Sequence, residues 1–364
     1  MGRTDLLRYT GNLQQIAYAR RICYDEGRAR GLHAVEVVNG PMRFGIMLDK
    51  CMDVSELSWR GEQISFLSKP GLNGRNPFDT HGAEAQRSIM GGLFFTCGYE
   101  NICAPYTDSN GKHYPMHGRM RTSPAEHVSV EAGWRGEDYV IRVSGDIREA
   151  ELFGENLLLH RTIETVYGVP ELAIHDVISN EAFRAEPLML MYHCNFGYPF
   201  LAECCRVLLP AETVQPRDAY SAEHIGRWNR MDAPTDNAAE QVYLHTLRSE
   251  ENGDTFVAIV NEETLRGVQL CFNKRELPYF GQWKSTEFMS WDWNRGMPAS
   301  TGGRSMRRSR PFPCWPRRKL PSIIFGSASS KERTQFGIWK TTDYSKRRMG
   351  RNETFGNQRG NPQV

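Results

Sequence analysis

The stretch Leu157–Ser179, LLLHRTIETVYGVPELAIHDVIS, decides the fold class of this chain. Apolar and polar residues alternate along Leu157–Tyr167 and again along Leu172–Ser179, which is the period of a half-buried β-strand. The residues Gly168-Val169-Pro170 between the two runs are typical of a turn. We therefore predict two antiparallel strands that are joined as a hairpin.

Similar strand-sized segments recur along most of the chain. Further strands are predicted at Arg43–Leu48, 54–59, Tyr139–Val143, Leu188–Cys194, Gln241–Leu247, Thr255–Val260 and Gly267–Cys271. Helical periodicity is limited to two short candidates, Asn12–Cys23 and Asp218–Trp228. Many strands with frequent turn residues and few helices favour an antiparallel all-β sandwich.

The composition is that of a soluble globular protein. Of 364 residues, 40% are hydrophobic and 24% are charged, which excludes a disordered or fibrous chain. The longest apolar runs are strand-sized, so no membrane span or membrane partner is expected. The amino terminus lacks the apolar core of a signal peptide. Nine cysteines, without CxxC or Cys/His metal spacing, predict a reducing cytoplasm, no disulfide framework and no metal site.

The net charge of +2 conceals a division of the chain. Residues 301–364 hold 15 Lys and Arg against 3 Asp and Glu, whereas the other 300 residues hold 30 basic and 40 acidic side chains. A solvated, disordered extension is one interpretation of this basic segment. A nucleic-acid-binding arm is the other, because Lys and Arg clusters neutralise phosphates. The segment contains no recognised nucleic-acid module, so nucleic acid is not among the predicted partners.

Three polar residues stand in otherwise apolar strand contexts. His193 ends an apolar strand, where it could donate a proton near neutral pH or could be a hydrogen-bonded core histidine. His117 precedes Gly118 and Arg119, so that the backbone could approach a ligand, or it could be an ordinary loop histidine. Glu240 opens a strand and could orient a hydroxylated ligand or simply be solvated. The chain has no P-loop, GxGxxG, HExxH or GxSxG motif.

Six short stretches, taken in order, carry a resemblance to a known family. They are Leu48–Val54, Gly91–Asn101, Pro115–Arg119, Leu188–Gly197, Pro216–Ala219 and Glu240–His245. Their order and spacing resemble the aldose 1-epimerase (galactose mutarotase-like) superfamily, and specifically a little-characterised bacterial branch of it. The resemblance implies a β-supersandwich whose concave face binds a sugar without a metal or organic cofactor.

The resemblance also implies roles for individual residues. A histidine in the position of His193 protonates the ring oxygen of a pyranose, while a carboxylate from a later strand removes the proton from the anomeric hydroxyl. His117 resembles the substrate-binding histidine of the family, and Glu240 stands where an acidic residue holds sugar hydroxyls. Asn101 and Arg119 are further candidates for ligand contacts. Ring opening needs both an acid and a base beside the sugar, because one proton leaves O1 and one reaches O5.

The chain departs from the family pattern at two places. Lys50 stands where the family has arginine, so a bidentate contact is lost. After Leu277–Lys284, which fits the family, a strand carrying Leu-Glu-Pro is expected. The chain instead reads Glu287–Asn294, in which Glu287 and Asp292 are the acids and neither has the expected context.

A change of reading frame accounts for this second departure. When the chain is back-translated and read two bases later, the segment from Glu287 can encode Val-Tyr-Val-Leu-Gly-Leu-Glu-Pro-Gly-Asn. The same frame can encode a second alternating strand between Pro311 and Lys331. Our hypothesis is that one base was inserted or lost between about Lys284 and Glu287, which also explains the unpatterned, arginine-rich sequence that follows.

Together these observations predict a galactose mutarotase-like β-supersandwich over residues 1–284 and a basic, disordered, non-native tail over residues 285–364. The predicted function is interconversion of sugar anomers by acid/base ring opening, impaired in this chain by loss of the base. A non-catalytic carbohydrate-binding protein is the alternative, so membership of the isomerases stays open. The predicted partner is a small-molecule aldose or a derivative of one, and no cofactor is expected.

Overall fold

The structure is a computed structural model that describes residues 2–74, 84–186, 188–287, 290–296, 323–324 and 334–340. Its α-helices within these residues are α1 (Arg3–Tyr9) and α2 (Ala219–Glu223), and short 3₁₀ turns occur at Leu13–Gln15, Gly27–Ala29, Glu84–Arg87, Met120–Thr122 and Ile225–Arg227. Its strands are β1 (Tyr18–Cys23), β2 (His33–Val38), β3 (Met42–Met47), β4 (Asp53–Trp59), β5 (Glu62–Gln63), β6 (Phe95–Tyr99), β7 (Tyr106–Thr107), β8 (His113–Tyr114), β9 (Ala125–Arg135), β10 (Asp138–Ala150), β11 (Asn156–Val166), β12 (Glu171–Asn180), β13 (Met189–Phe196), β14 (Cys205–Leu208), β15 (Ala211–Pro216), β16 (Gln241–Leu247), β17 (Asp254–Asn261), β18 (Arg266–Asn273), β19 (Phe280–Ser285), β20 (Ser290–Gly296), β21 (Ile323–Ile324) and β22 (Thr334–Lys340).

The strands form three principal antiparallel sheets and a small hairpin. A five-stranded meander runs β1-β2-β3-β4-β5, and a nine-stranded sheet runs β14-β17-β18-β22-β12-β11-β10-β9 with β21 also paired to β12. A six-stranded sheet runs β15-β16-β19-β20-β13-β6, and β7 pairs with β8. Because β6 and β13 come from distant parts of the chain, this last sheet gathers residues that the sequence separates. The predicted all-β, antiparallel fold class is confirmed.

The predicted hairpin lies at the centre of the nine-stranded sheet. β11 pairs with β12 from Leu157 opposite Asn180 to Thr165 opposite Leu172. Side chains along β12 alternate strictly between half-buried and buried, so the sequence alternation corresponds directly to a buried face. The second helical candidate, Asp218–Trp228, is also confirmed in α2 and the 3₁₀ turn that follows it.

The first helical candidate, Asn12–Cys23, is wrong. Leu13–Gln15 form one 3₁₀ turn, and Tyr18–Cys23 form β1, which pairs with β2. This edge strand is half-buried or exposed at every position, so its sequence lacks the alternation that identifies a strand. Pairing with β2 decides its conformation instead of local propensity.

A cluster of buried charged side chains connects the three principal sheets and lies beneath the six-stranded sheet. Arg161 on β11 is fully buried and donates hydrogen bonds to Asp176 on β12, at 2.8 and 2.7 Å, and to Asp53 on β4, at 2.9 Å. Its guanidinium also donates to Thr96 Oγ1 on β6 at 3.0 Å, and Tyr192 on β13 donates to Asp176 at 2.7 Å. The cluster therefore fixes β6 and β13 from behind.

Part of the predicted tail forms strands. β20 pairs with β13 and β19, and β22 pairs with β12 and β18. Most of residues 297–364 lies outside the described residues, including Phe325–Ser330 and Asn352–Val364, whose sequence predicts loop or disorder. The domain boundary at residue 284 stays a prediction. Among the described helices, none is long and apolar enough to span a bilayer.

Candidate functional site

Antiparallel pairing of β6 with β13 assembles the first part of the site. His193 lies opposite Phe95, and Met191 lies opposite Cys97. Directly opposed residues share a face of an antiparallel sheet, so all four side chains project on one side. Phe95, Cys97 and Met191 belong to a small buried cluster, with Ile102, that is separate from the main core.

The imidazole rings of His117 and His193 meet over this cluster. Their ring centroids are 5.0 Å apart at an interplanar angle of 89°. The ring of Phe95 lies 5.9 Å from that of His117 and 5.5 Å from that of His193. Both histidines are half-buried. The structure therefore brings together two residues that the sequence separates by more than seventy positions.

Backbone hydrogen bonds hold His117 in an uncommon conformation. Its φ is 61°, in the left-handed region that non-glycine residues rarely adopt. Gly98 N–H donates to the His117 carbonyl at 3.1 Å, and His117 N–H donates to the Cys103 carbonyl at 2.9 Å. The side-chain amide of Asn101 donates to the carbonyls of Ala104 at 3.0 Å and Pro115 at 2.7 Å, closing the same loop.

Gly118 is the position at which this arrangement tolerates no side chain. Its φ is +71°, and an added Cβ would lie 2.1 Å from the Gly98 carbonyl oxygen. Gly111 has a similar φ of +83° but open space around it. We expect Gly111→Ala to lose about 1–2 kcal/mol of the free energy of unfolding. Gly118→Ala should lose about 1–3 kcal/mol more, because backbone must move.

Urea denaturation of the two alanine variants measures this difference. The nuclear Overhauser contact between the His117 and His193 rings should persist in Gly111→Ala and disappear in Gly118→Ala. Equal stability losses with both ring contacts intact would show that Gly118 does not position His117.

Both imidazoles are held in the neutral form. Burial lowers the pKa of His117 to about 4. Burial and the neighbouring His117 lower the pKa of His193 well below its usual range. The backbone N–H of Cys103 donates to Nδ1 of His117 at 3.3 Å, so the ring proton of neutral His117 belongs on Nε2. Nε2 of His193 is buried and has no hydrogen-bond partner within the part of the chain that the structure describes.

Glu240 forms the opposite end of the same face. Its carboxylate accepts hydrogen bonds from Nη2 of Arg217 at 2.7 Å and from Nε1 of Trp283. Arg217 also donates from Nε to Asp218 at 3.0 Å. Burial raises the pKa of the Cys103 thiol to about 11, and the charges of Arg217 and Glu240 act on it in opposite directions. This end of the face is therefore within electrostatic range of the loop that carries His117.

The register of the six-stranded sheet gives the distance between the end of the face that carries His193 and the end that carries Glu240. His193 lies opposite position 294 on β20, and position 294 lies opposite Gly281 on β19. Gly281 in turn lies opposite Leu244 on β16. Three strand spacings separate His193 from β16, or about 14 Å. The two ends of this face are therefore three strands apart, with Gly281 between them.

Arg119 and Asn101 lie beside the histidines and already have protein partners. Arg119 forms an ion pair with Glu100, whose side chain is buried and whose pKa is raised, chiefly by burial. The Asn101 amide is occupied by loop carbonyls. Their predicted ligand contacts stay predictions. Lys50 is buried near Arg121, and burial lowers the pKa of its ammonium to about 8.

Sequence reasoning missed three residues of this face as site residues. Cys97 reads as an apolar strand residue, and only the pairing of β6 with β13 brings it to the histidines. Arg217 and Trp283 lie within family-like stretches, but their shared partner, Glu240, is revealed only by the pairing of β16 with β19. No signal in the linear spacing could have joined them.

Comparison with known proteins gives a family match and several fold matches. Residues 29–304 match the model of a family described as a domain of unknown function, DUF4432. A candidate aldose 1-epimerase from Klebsiella pneumoniae is 20% identical and aligns over 92% of this chain and 91% of its own, with a TM-score of 0.77. No curated protein matches.

Two more distant structures share the fold. A galactose mutarotase-like protein from Clostridium acetobutylicum is 14% identical over 89% of this chain and 98% of its own, with a TM-score of 0.57. A galactose 1-epimerase from Lactobacillus acidophilus is 12% identical over 89% of this chain and 99% of its own, with a TM-score of 0.53. These likenesses establish a galactose mutarotase-like fold, as the sequence resemblance predicts.

Proposed function

The chain belongs to the DUF4432 family, and from that premise we propose that it is a sugar-binding protein of the aldose 1-epimerase kind whose own chemistry is impaired. The observation that carries the proposal is the edge-to-face pair of His117 and His193, 5.0 Å apart, on the face that Glu240 closes at its other end. The aldose 1-epimerases and mutarotases among the fold matches support the same kind of ligand.

The cleft offers the groups that a pyranose needs. Glu240 and Arg217 provide an acceptor and a donor for vicinal hydroxyls, and the indole of Trp283 donates to Glu240 beside them. An aromatic face packs against the apolar face of a sugar ring. At the other end, His117 presents an Nε2–H donor, since its Nδ1 accepts from the backbone. We propose that these groups hold the ring with O5 toward His193.

The proposed reaction moves two protons and breaks one bond. A base removes the proton from the anomeric O1–H, the electron pair forms the C1=O1 bond, and the C1–O5 bond breaks as O5 takes a proton from His193. Rotation about C1–C2 and the reverse steps close the ring on its other face. Each positioned proton transfer contributes about 10²- to 10⁴-fold to the rate.

The base is the missing part. Among the described residues, no carboxylate is hydrogen-bonded to His117 or His193. Among the residues that the structure describes, no negative charge acts on the His193 imidazole to stabilise its protonated form. Loss of one carboxylate therefore impairs both proton transfers. We propose that the frame change near Lys284 removed it. We also propose a cytoplasmic location, from the odd number of cysteines.

We expect this chain to bind an aldose without accelerating anomer exchange. The test titrates the untagged protein with individual aldohexoses, aldopentoses and hexuronates. Saturation-transfer NMR detects binding, and the rate of anomer exchange is measured on the same samples. Glu240→Gln and His193→Ala should each weaken binding about tenfold or more, because each removes a polar partner of the ring. Exchange rates should equal those in buffer.

The matched control is His33→Ala, which removes an exposed histidine on β2. It should bind as the parent chain does. Absence of binding to every sugar tested would refute the proposed ligand class. Exchange clearly above the buffer rate, abolished in His193→Ala, would show that the chain keeps a working base. Undiminished binding in both Glu240→Gln and His193→Ala would show that the sugar binds at another site.

A further inference from the structure

Cys97, His117 and His193 form a cluster that sugar chemistry does not fully use. Each of the three offers one ligand atom, and these atoms all lie within 4.8 Å of one another. The thiol of Cys97 is buried, whereas the two imidazoles are half-buried. Proton transfer to a sugar oxygen needs one imidazole and no thiol. The cluster therefore has a donor set beyond what the proposed function requires.

We propose that these three side chains bind a zinc-class divalent cation, with its fourth coordination position open to the cleft. One thiolate and two imidazoles are ligands that Zn²⁺ prefers, and three protein ligands with one open position are typical of a catalytic rather than a structural site. The ligands come from a strand pair and a clamped loop, so their placement is fixed before an ion enters.

The geometry requires a modest adjustment. Ligand atoms around a tetrahedral zinc ion lie about 3.5 Å apart, given Zn–S and Zn–N bonds of about 2.3 and 2.0 Å. The side chains must therefore close by about an ångström. Nε2 of His193 is buried and has no hydrogen-bond partner among the described residues, so an ion there replaces no hydrogen bond within them. Ligation through Nε2 of His117 would move its proton to Nδ1 and break the 3.3 Å bond from Cys103.

The three proposed ligands are too far apart in the sequence to form a recognisable metal-binding motif. His117 follows Cys97 by 20 positions and His193 follows His117 by 76 positions, so no metal-binding motif is visible. The inference stands on the cluster alone and does not depend on a sugar ligand. Zinc and sugar would use the same two imidazoles, so zinc should compete with any sugar that the cleft binds.

The test uses the untagged 364-residue chain after removal of metal by chelator. We expect one Zn²⁺ to bind per chain in a calorimetric titration, and the Co²⁺-loaded chain to show a thiolate-to-cobalt charge-transfer band. Cys97→Ser should lose that band and bind Zn²⁺ at least tenfold more weakly. Cys23→Ser, which removes an exposed thiol on β1, should bind as the parent does.

X-ray absorption of the zinc-loaded parent chain gives a measurement that needs no variant to fold. We expect one sulfur and two imidazole nitrogens in the first coordination shell. A shell without sulfur, no saturable zinc binding, or equal affinity in Cys97→Ser would overturn the site. Sugar titrations of metal-free protein report separately on the proposed function, so failure of one inference is distinguishable from failure of the other.

Discussion

Restoring one base ahead of the Glu287 codon is expected to raise the rate of anomer exchange by about 10²- to 10⁴-fold over that of the 364-residue chain. The restored gene encodes glutamate at position 294. Trp293 has the single codon TGG and both codons of Asn294 begin with AA, so the new codon reads GAA whatever synonymous codons are used. By the same reasoning, Trp291–Asn294 must encode Gly-Leu-Glu in that frame.

Position 294 is where the reaction needs a base. It lies directly opposite His193 on one side and opposite Gly281 on the other. Opposed residues of an antiparallel pair share a face and have Cβ atoms about 4.5–5.5 Å apart. A glutamate at this position would therefore share a face of the sheet with the proton donor. Gly281 adds no side chain that could obstruct it.

The carboxylate should also change the acid. Burial and the neighbouring His117 lower the pKa of His193 in the present chain. An anion within about 4–6 Å favours the charged imidazolium and raises its pKa. Restoration should therefore move the His193 titration, followed by imidazole NMR, toward neutral pH. The same carboxylate then provides the base and makes the acid competent.

The control for this experiment is the restored chain with glutamine in place of glutamate at position 294. It keeps the restored strands and shape but not the charge, so it should exchange anomers no faster than the 364-residue chain. A glutamine version as fast as the glutamate version would place the base elsewhere. If the present chain is itself active and Asp292→Asn abolishes that activity, the frame hypothesis loses its functional argument.

The parts of the fold with one buried face were predictable from sequence. β11 and β12 each bury one face against the core, so alternation along Leu157–Ser179 identifies both strands and their turn. β1 has no fully buried position, and its sequence gave no alternation. The hydrophobic period is informative only where one face leaves water. A half-exposed edge strand is defined by its partner.

The site was predictable only in part, because its register is non-local. His193 and His117 were identified by residue type and family resemblance, and the structure brings their rings together. Cys97 was not identified, since its pairing opposite Met191 joins segments almost a hundred residues apart. The side chain of Asn101 closes the loop that carries His117, and an isolated polar residue in a sequence does not distinguish such a contact from a ligand contact.

Arg161→Met is expected to lower the free energy of unfolding by about 3–5 kcal/mol. Arg161, Asp53 and Asp176 are all fully buried, and the guanidinium pairs with both carboxylates at 2.9 and 2.7 Å. The methionine side chain fills similar volume but leaves two carboxylates without their cation. Because Thr96 and Tyr192 belong to the same cluster, β6 and β13 should also loosen, and the contact between the His117 and His193 rings should weaken.

The size of this loss should depend on pH. Burial raises the pKa of Asp53 to about 6 even beside Arg161. A carboxyl whose folded pKa exceeds its unfolded value stabilises the fold below that unfolded value and loses this contribution as pH rises through the folded pKa. Without the guanidinium the folded pKa rises further, so the deficit of Arg161→Met should be smaller at about pH 5 than at about pH 8. Urea denaturation at both pH values measures this difference in the free energy of unfolding.

Arg148→Met is the control, since it removes a partly exposed ion pair with Glu181 and should lose about 0–1 kcal/mol. If Arg161→Met loses no more free energy of unfolding than Arg148→Met, or if its loss is independent of pH, the buried cluster does not hold the sheets together.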